Sequence, residues 1–143
     1  MSRTVTVKNA DVVRAMIEQY GAAVDKGVQD LVKAAAFGAI TDVKKRIQSP
    51  PKTGRIYTRG SISHQASADG EAPATDTGTL VSSIFFEQPS KYQAKIGSRL
   101  DYAFYLEYGT MMMRPRPSWV HAADTARKNL NADIDQLLKA LNK

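Results

Sequence analysis

Apolar side chains recur at steps of three and four from Val13 through Ile17, Tyr20, Val24, Val28, Leu31 and Ala35, the spacing of one face of an α-helix. Ile40, Val43 and Ile47 continue the stripe until Pro50 and Pro51 end it. The pattern predicts an N-terminal helix over residues 9–48, capped by Asn9 or Asp11 and long enough to be kinked near Gly27 or Gly38. A helix of this length, apolar along one face, is expected to lie across a sheet. Near the C-terminus the same period returns in Ala123, Ala126, Leu130, Ile134, Leu137 and Leu141. It predicts a second helix over 118–142, capped by Ser118 and with Trp119 packing at its start.

Between the helices the period changes. Tyr92, Ala94 and Ile96 alternate with Gln93, Lys95 and Gly97, the period of a strand with one buried face. Ser83 to Gln88 reads as its partner, with Ile84 and Phe86 facing one way, so residues 80–98 are expected to form an antiparallel hairpin turned at Pro89 and Ser90. Asp76 or Thr77 can cap a single helical turn through Leu80 and Val81 just before it. Thr53 to Ser61 is a third, shorter strand candidate, because Ile56, Tyr57 and Thr58 favour extended backbone between flanking glycines.

Residues 63–79 read SHQASADGEAPATDTGT, small, polar and turn-forming throughout. They predict a long loop arm with no core of its own. Loops of that length in compact domains are functional or disordered, and laying one against another subunit is a natural way to order it. The stretch Tyr102 to Pro117, YAFYLEYGTMMMRPRP, is expected to be a joint: a short helix with Tyr102, Tyr105 and Leu106 on one face and Phe104 and Tyr108 on another. Gly109 stops it, and Pro115 and Pro117 forbid its continuation. Two apolar faces on one helix favour a core anchor over a ligand site, with Met111, Met112 and Met113 filling an irregular gap in the core or at an interface.

The resulting expectation is an α+β fold in one domain, 1–143: a small antiparallel sheet packed on the long N-terminal helix and the C-terminal helix, with a basic strip and the long loop arm over residues 49–79. Phe85 on the uncovered sheet face would be an awkward apolar group on a monomer, a hint of oligomerisation.

The 143 residues contain no cysteine, which excludes disulfides, a thiolate nucleophile and Cys-containing zinc sites. A signal core and a membrane-spanning apolar run are both missing, so a soluble protein made in the cytoplasm, with no membrane partner, is expected. The formal charge is +6, from 20 Lys and Arg against 14 Asp and Glu. Lys44, Lys45, Arg46, Lys52, Arg55 and Arg59 form a strip with no acid from residue 44 to 68. It suits solvated surface first, and then an acidic protein neighbour or nucleic acid phosphate.

Candidate chemistry is sparse. His64 and His121 are the only histidines. His64 stands near Ser63, Asp69 and Glu71, but a long loop is a poor scaffold for a catalytic set, and His121 falls within the last helix. Metal and phosphate-binding motifs are missing, so no cofactor is expected.

Two pieces together carry a resemblance: HQASADGEAPATDTGTLVSSI from His64 to Ile84, and YAFYLEYGT followed by RPRP from Tyr102 to Pro117. In order and separation they resemble the head-tail joining, neck or tail-completion proteins of lambdoid long-tailed bacteriophages. Asp69 stands where that family commonly has proline, and Ser118 precedes Trp119 where an aromatic residue often follows directly. The resemblance implies a virion protein without enzymatic activity that assembles as a ring, a hexamer favoured, between the head connector and the tail tube. It also implies structural or interfacial roles for Ala72, Pro73, Asp76, Thr77, Gly78 and Leu80 in the loop, and for Tyr102, Glu107, Tyr108, Gly109, Pro115 and Pro117 in the joint. His64, Glu71, Arg114 and Arg116 join the expected subunit or partner interface, with Glu107 pairing with Arg114, Arg116 or a basic residue of the next subunit. Other neck, connector and tail-tube proteins are the expected partners, and the basic strip is assigned to an acidic neighbour or to DNA in the lumen. A small basic DNA-binding module using Lys44 to Arg59 is the alternative.

Overall fold

The fold is seen in a computed structural model that describes residues 2–6, 9–49 and 52–141. Pro50 and Pro51, expected to end the first helix, and Asn142, expected to close the last, lie outside the described residues. The chain forms β1 (Ser2–Thr6), α1 (Ala10–Tyr20), α2 (Ala22–Gln48), β2 (Ile56–Arg59), β3 (Ile62–Gln65), α3 (Thr79–Ser82), β4 (Ile84–Ser90), β5 (Gln93–Ser98), α4 (Tyr102–Tyr108) and α5 (Trp119–Leu141).

The core lies between α2, α5 and a three-stranded antiparallel sheet of order β1-β5-β4. Val24, Val28, Val32, Ala36, Ala39, Val43 and Ile47 form the inward stripe of α2, and Trp119, Ala122, Ala126, Leu130 and Ile134 that of α5. Alanines on both stripes let the helix axes approach closely, while Val5, Ala94 and Ile96 close the layer from the sheet. The α+β expectation therefore holds, with both helices on one face of the sheet.

Three details differ. The N-terminal helix is broken at Gly21, which has φ +80° and ψ −162°, and α2 then runs uninterrupted through Gly27 and Gly38. Only at Gly21 does the backbone leave helical space, where glycine meets little steric cost. Asn9 takes a left-handed conformation, and neither its side chain nor that of Asp11 caps α1. β1 was not foreseen. Its register, Arg3 opposite Ile96 and Val5 opposite Ala94, sends Val5 into the core.

The turn between β4 and β5 falls at Lys91–Tyr92. The Tyr92 hydroxyl (2.6 Å) and the Lys91 ammonium (3.1 Å) both donate to the Asp25 carboxylate, which anchors this turn to the start of α2. The Tyr92 bond and then the Lys91 bond hold the Asp25 carboxyl below its ordinary pKa. On the sheet face away from the helices, Phe85 is half-buried beneath Lys95 and Arg99, each about 6.0 Å from the ring centre. The two cations cover the ring that was expected to be an apolar liability.

Candidate assembly interface

α4 turns inward the side expected to be least apolar. Ala103 and Glu107 are buried, Leu106 is partly buried against the core, and Tyr102, Phe104, Tyr105 and Tyr108 are about half exposed. The joint is thus not the aromatic core anchor expected from its composition. What fixes it is Glu107, only 3% exposed. Its carboxylate accepts the backbone N–H groups of Ser118 (2.8 Å), Trp119 (3.0 Å) and Val120 (2.7 Å). Those donors belong to the first turn of α5, which has no intrahelical acceptors for them, and the negative charge sits at the positive end of the helix dipole. Glu107 therefore satisfies the helix terminus rather than an ion pair with Arg114 or Arg116, and it welds α4 to the start of α5.

Gly109 stops α4 with φ +78°, and a Cβ there would lie 2.6 Å from the Met113 carbonyl oxygen and 3.0 Å from the Pro115 ring. Only glycine fits that crowding. A tight turn follows, in which the Thr110 N–H donates to the Met113 carbonyl (2.8 Å), and Met111 and Met112 stand fully exposed at its tip. The chain then runs back beside the loop. The Gly70 N–H donates to the Pro115 carbonyl (3.1 Å), the Arg116 N–H to the Leu106 carbonyl (2.7 Å), and the Arg116 guanidinium to the Ser67 hydroxyl (3.1 Å). Arg114 and Asp69, 3.8 Å apart and both exposed, add little.

The stretch read as a long loop arm is tied to its own chain. Ile62–Gln65 pairs with Ile56–Arg59 as an antiparallel ribbon, and Ala66 and Glu71 bond back to Gly54, Arg55 and Thr53 at its base. Glu71 is the centre of that fold. Its carboxylate accepts from the Thr53 hydroxyl, the Thr53 N–H (3.0 Å) and the Ala68 N–H (2.8 Å), and these bonds hold its carboxyl down to about 2. The Lys52 ammonium donates to the Arg46 (2.8 Å) and Ala72 (3.0 Å) carbonyls, and burial lowers its pKa. Pro73 and Leu80 are buried, and α3 follows Gly78 with no side-chain cap from Asp76 or Thr77. The Thr77 hydroxyl instead lies 2.6 Å from that of Thr79. Asp76 accepts from Arg59 (2.6 Å) and lies 4.0 Å from His64, whose ring meets Tyr57 edge-on at 5.1 Å.

A cleft of about 170 Å³ separates the ribbon from α4, lined by Tyr57, His64, Asp76, Tyr102 and Arg116 among others. Glu71 is committed to Thr53 and Ala68, Asp69 faces Arg114, and Ser63 lies opposite Thr58, so the set around His64 is dispersed. Among the described residues no cluster of His, Asp or Glu could hold a metal ion. No helix there is long and apolar enough to cross a membrane.

The basic strip divides in two. Arg46 pairs with Asp42 (2.9 Å), Arg59 with Asp76, and Lys52 with backbone carbonyls. Lys44, Lys45 and Arg55 make no ion pair among the described residues. The apolar surface is more distinctive. Besides the α4 rings and the two methionines, Ile56 (61%), Tyr57 and Ile62 (62%) are exposed on the ribbon.

A family model described as "Bacteriophage HK97-gp10, putative tail-component" matches residues 11–109, well over half of the 143. The chain belongs to this family. No curated protein and no solved structure matches it. As a phage tail component it is a structural protein of the virion and works in contact with other phage structural proteins.

The matched span takes in the ribbon, the loop and α4, and stops at Gly109, before the methionine turn and α5. Two features of this tail component escaped the sequence reading. Arg3 of β1 donates to the Tyr108 hydroxyl (2.6 Å), which ties the sheet edge to the exposed face of α4. The alternation Arg3-Thr4-Val5-Thr6 was the available signal for that strand. The outward turn of the α4 rings had no such signal, because periodicity finds an apolar face without saying what covers it.

Proposed function

We propose that this tail component completes the tail: a head-tail joining or tail terminator protein that forms a ring, hexameric, at the neck between the head connector and the tail tube, without catalysis. The observation that carries this reading is the α4 face, four half-exposed aromatic rings held in place by a buried glutamate. A monomer rarely leaves so many large rings together in water. Loop residues Ala72, Pro73, Asp76, Thr77, Gly78 and Leu80 then act by holding the ribbon and α4 in position, and Arg114 and His64 lie at the edges of the contact surface.

The test is molar mass by light scattering across a concentration series, for the native chain and for Tyr105→Glu. A ring-sized species in the native chain that falls to monomer in the variant supports the reading; a monomer at every concentration, with and without tail or head components, overturns it. Lys44, Lys45 and Arg55 keep a second reading alive, a basic DNA-binding module. It predicts duplex DNA binding that weakens steeply as salt rises, which a salt-titrated binding assay separates from ring assembly.

A further inference from the structure

Two apolar surfaces of this chain are exposed at the same time and do not cover each other. One is the β2–β3 ribbon. Among the described elements it packs chiefly on itself, and a lone two-stranded hairpin is marginal in water. Its register puts Ile62 opposite Arg59 and Ile56 opposite Gln65, so the two exposed isoleucines lie on opposite faces. No single flat surface buries both. The other is the α4 face, where Phe104 packs against Tyr105 (6.0 Å) and Tyr108 (4.8 Å), continued by the exposed Met111 and Met112. Half-exposed rings of this size and two methionines present on the order of 500–800 Å², comparable to one side of a standard interface at about 800 Å².

We infer that the ribbon of one copy docks on the α4 and methionine surface of the next copy. This rests on the ring reading and names its self-contact. The two surfaces complement each other in chemistry. Branched aliphatic side chains meet aromatic rings on one face of the ribbon, and the unbranched thioethers of Met111 and Met112 are flexible enough to reach around to the other. Arg55 at the ribbon's base is exposed without an ion pair among the described residues, while Tyr102 and the exposed Asp101 stand at the start of α4. A guanidinium over those rings and beside that carboxylate gains both a cation-π contact and a charge pair. Each copy carries one ribbon and one α4 surface. The contact is therefore heterologous, and repeating it by rotation fills every surface once the ring closes. A partner of another kind would have to satisfy the two separately.

The chain's lack of cysteine makes the test clean. Ile62→Cys and Met111→Cys are prepared as single variants, both at exposed positions where the fold tolerates change, with circular dichroism as the folding check. Mixed and oxidised at millimolar concentration, they are expected to give a covalent dimer that neither gives alone. The double variant is expected to give a ladder ending at the ring size, and Ile62→Glu to weaken association at least ~10-fold. A native oligomer with no Ile62 to Met111 link overturns this contact while the ring stands. Linking of Ile62→Cys to itself overturns it in favour of a two-fold contact. A monomer with no link at any concentration overturns both.

Discussion

The helix-sheet core and the ribbon-α4 periphery use the same kinds of side chain in opposite ways. In the core, every apolar residue of the α2 stripe from Val24 to Ile47 faces α5 or the sheet. In the periphery, Ile56, Ile62, Phe104 and Tyr105 face water, while the groups turned inward include a glutamate, Glu107, and a serine, Ser67. The core is held by burial of apolar area and close packing. The periphery is held by directed polar bonds: Glu107 to the start of α5, Glu71 to Thr53 and Ala68, Asp76 to Arg59, and Arg116 to Ser67. Polar anchoring leaves apolar side chains free for a second molecule, and apolar anchoring does not.

Substitutions in the two regions sharpen this difference. Glu107→Ala strands three N–H donors in a dry site and is expected to cost about 3–5 kcal/mol in urea unfolding, the penalty for buried charge-assisted bonds left unmade. Leu130→Ala, in the core stripe of α5, is expected to cost about 2–4 kcal/mol by opening a cavity. If the polar joint proves the weaker of the two, the contrast drawn between the regions fails.

Acid is expected to loosen the periphery through Glu71. The Glu71 carboxyl is held at about 2 in the folded chain, against an ordinary 4.5, so on acidification the unfolded chain takes up this proton first. The stabilisation is complete above pH 4.5 and is lost progressively as the pH falls towards 2. Hydrogen exchange across Thr53 to Ala68 is expected to quicken in that window, and Glu71→Gln to flatten the dependence. Tyr105→Glu stands last: its effect on folding is expected within about 0.5 kcal/mol, as for other exposed sites, while its effect on association is large. A substantial loss of stability would place Tyr105 in the chain's own core and remove the contrast.

Much of the core was legible in the linear pattern. The α5 stripe, the β4–β5 hairpin and the α4 helix ending at Gly109 follow from periods of 3.6 and 2 and from a glycine placed where φ is positive. β1 was missed because five residues carry too weak a period, and its pairing with β5 joins residues about ninety apart. The break at Gly21 was missed because three glycines, Gly21, Gly27 and Gly38, punctuate one stripe, and only packing decides which of them bends.

The sequence by itself determined where the long helices, α4 and the β4–β5 hairpin form and which of their faces are apolar, because both depend on neighbours a few positions away. It also carried the pieces by which the chain resembles phage neck proteins. Only the tertiary structure decided which apolar faces are buried, that Glu107 serves a helix beginning twelve residues later, and that the loop is pinned by Glu71 to its own chain. Each of those depends on what the folded chain brings alongside, and burial, unlike periodicity, is a property of that whole arrangement.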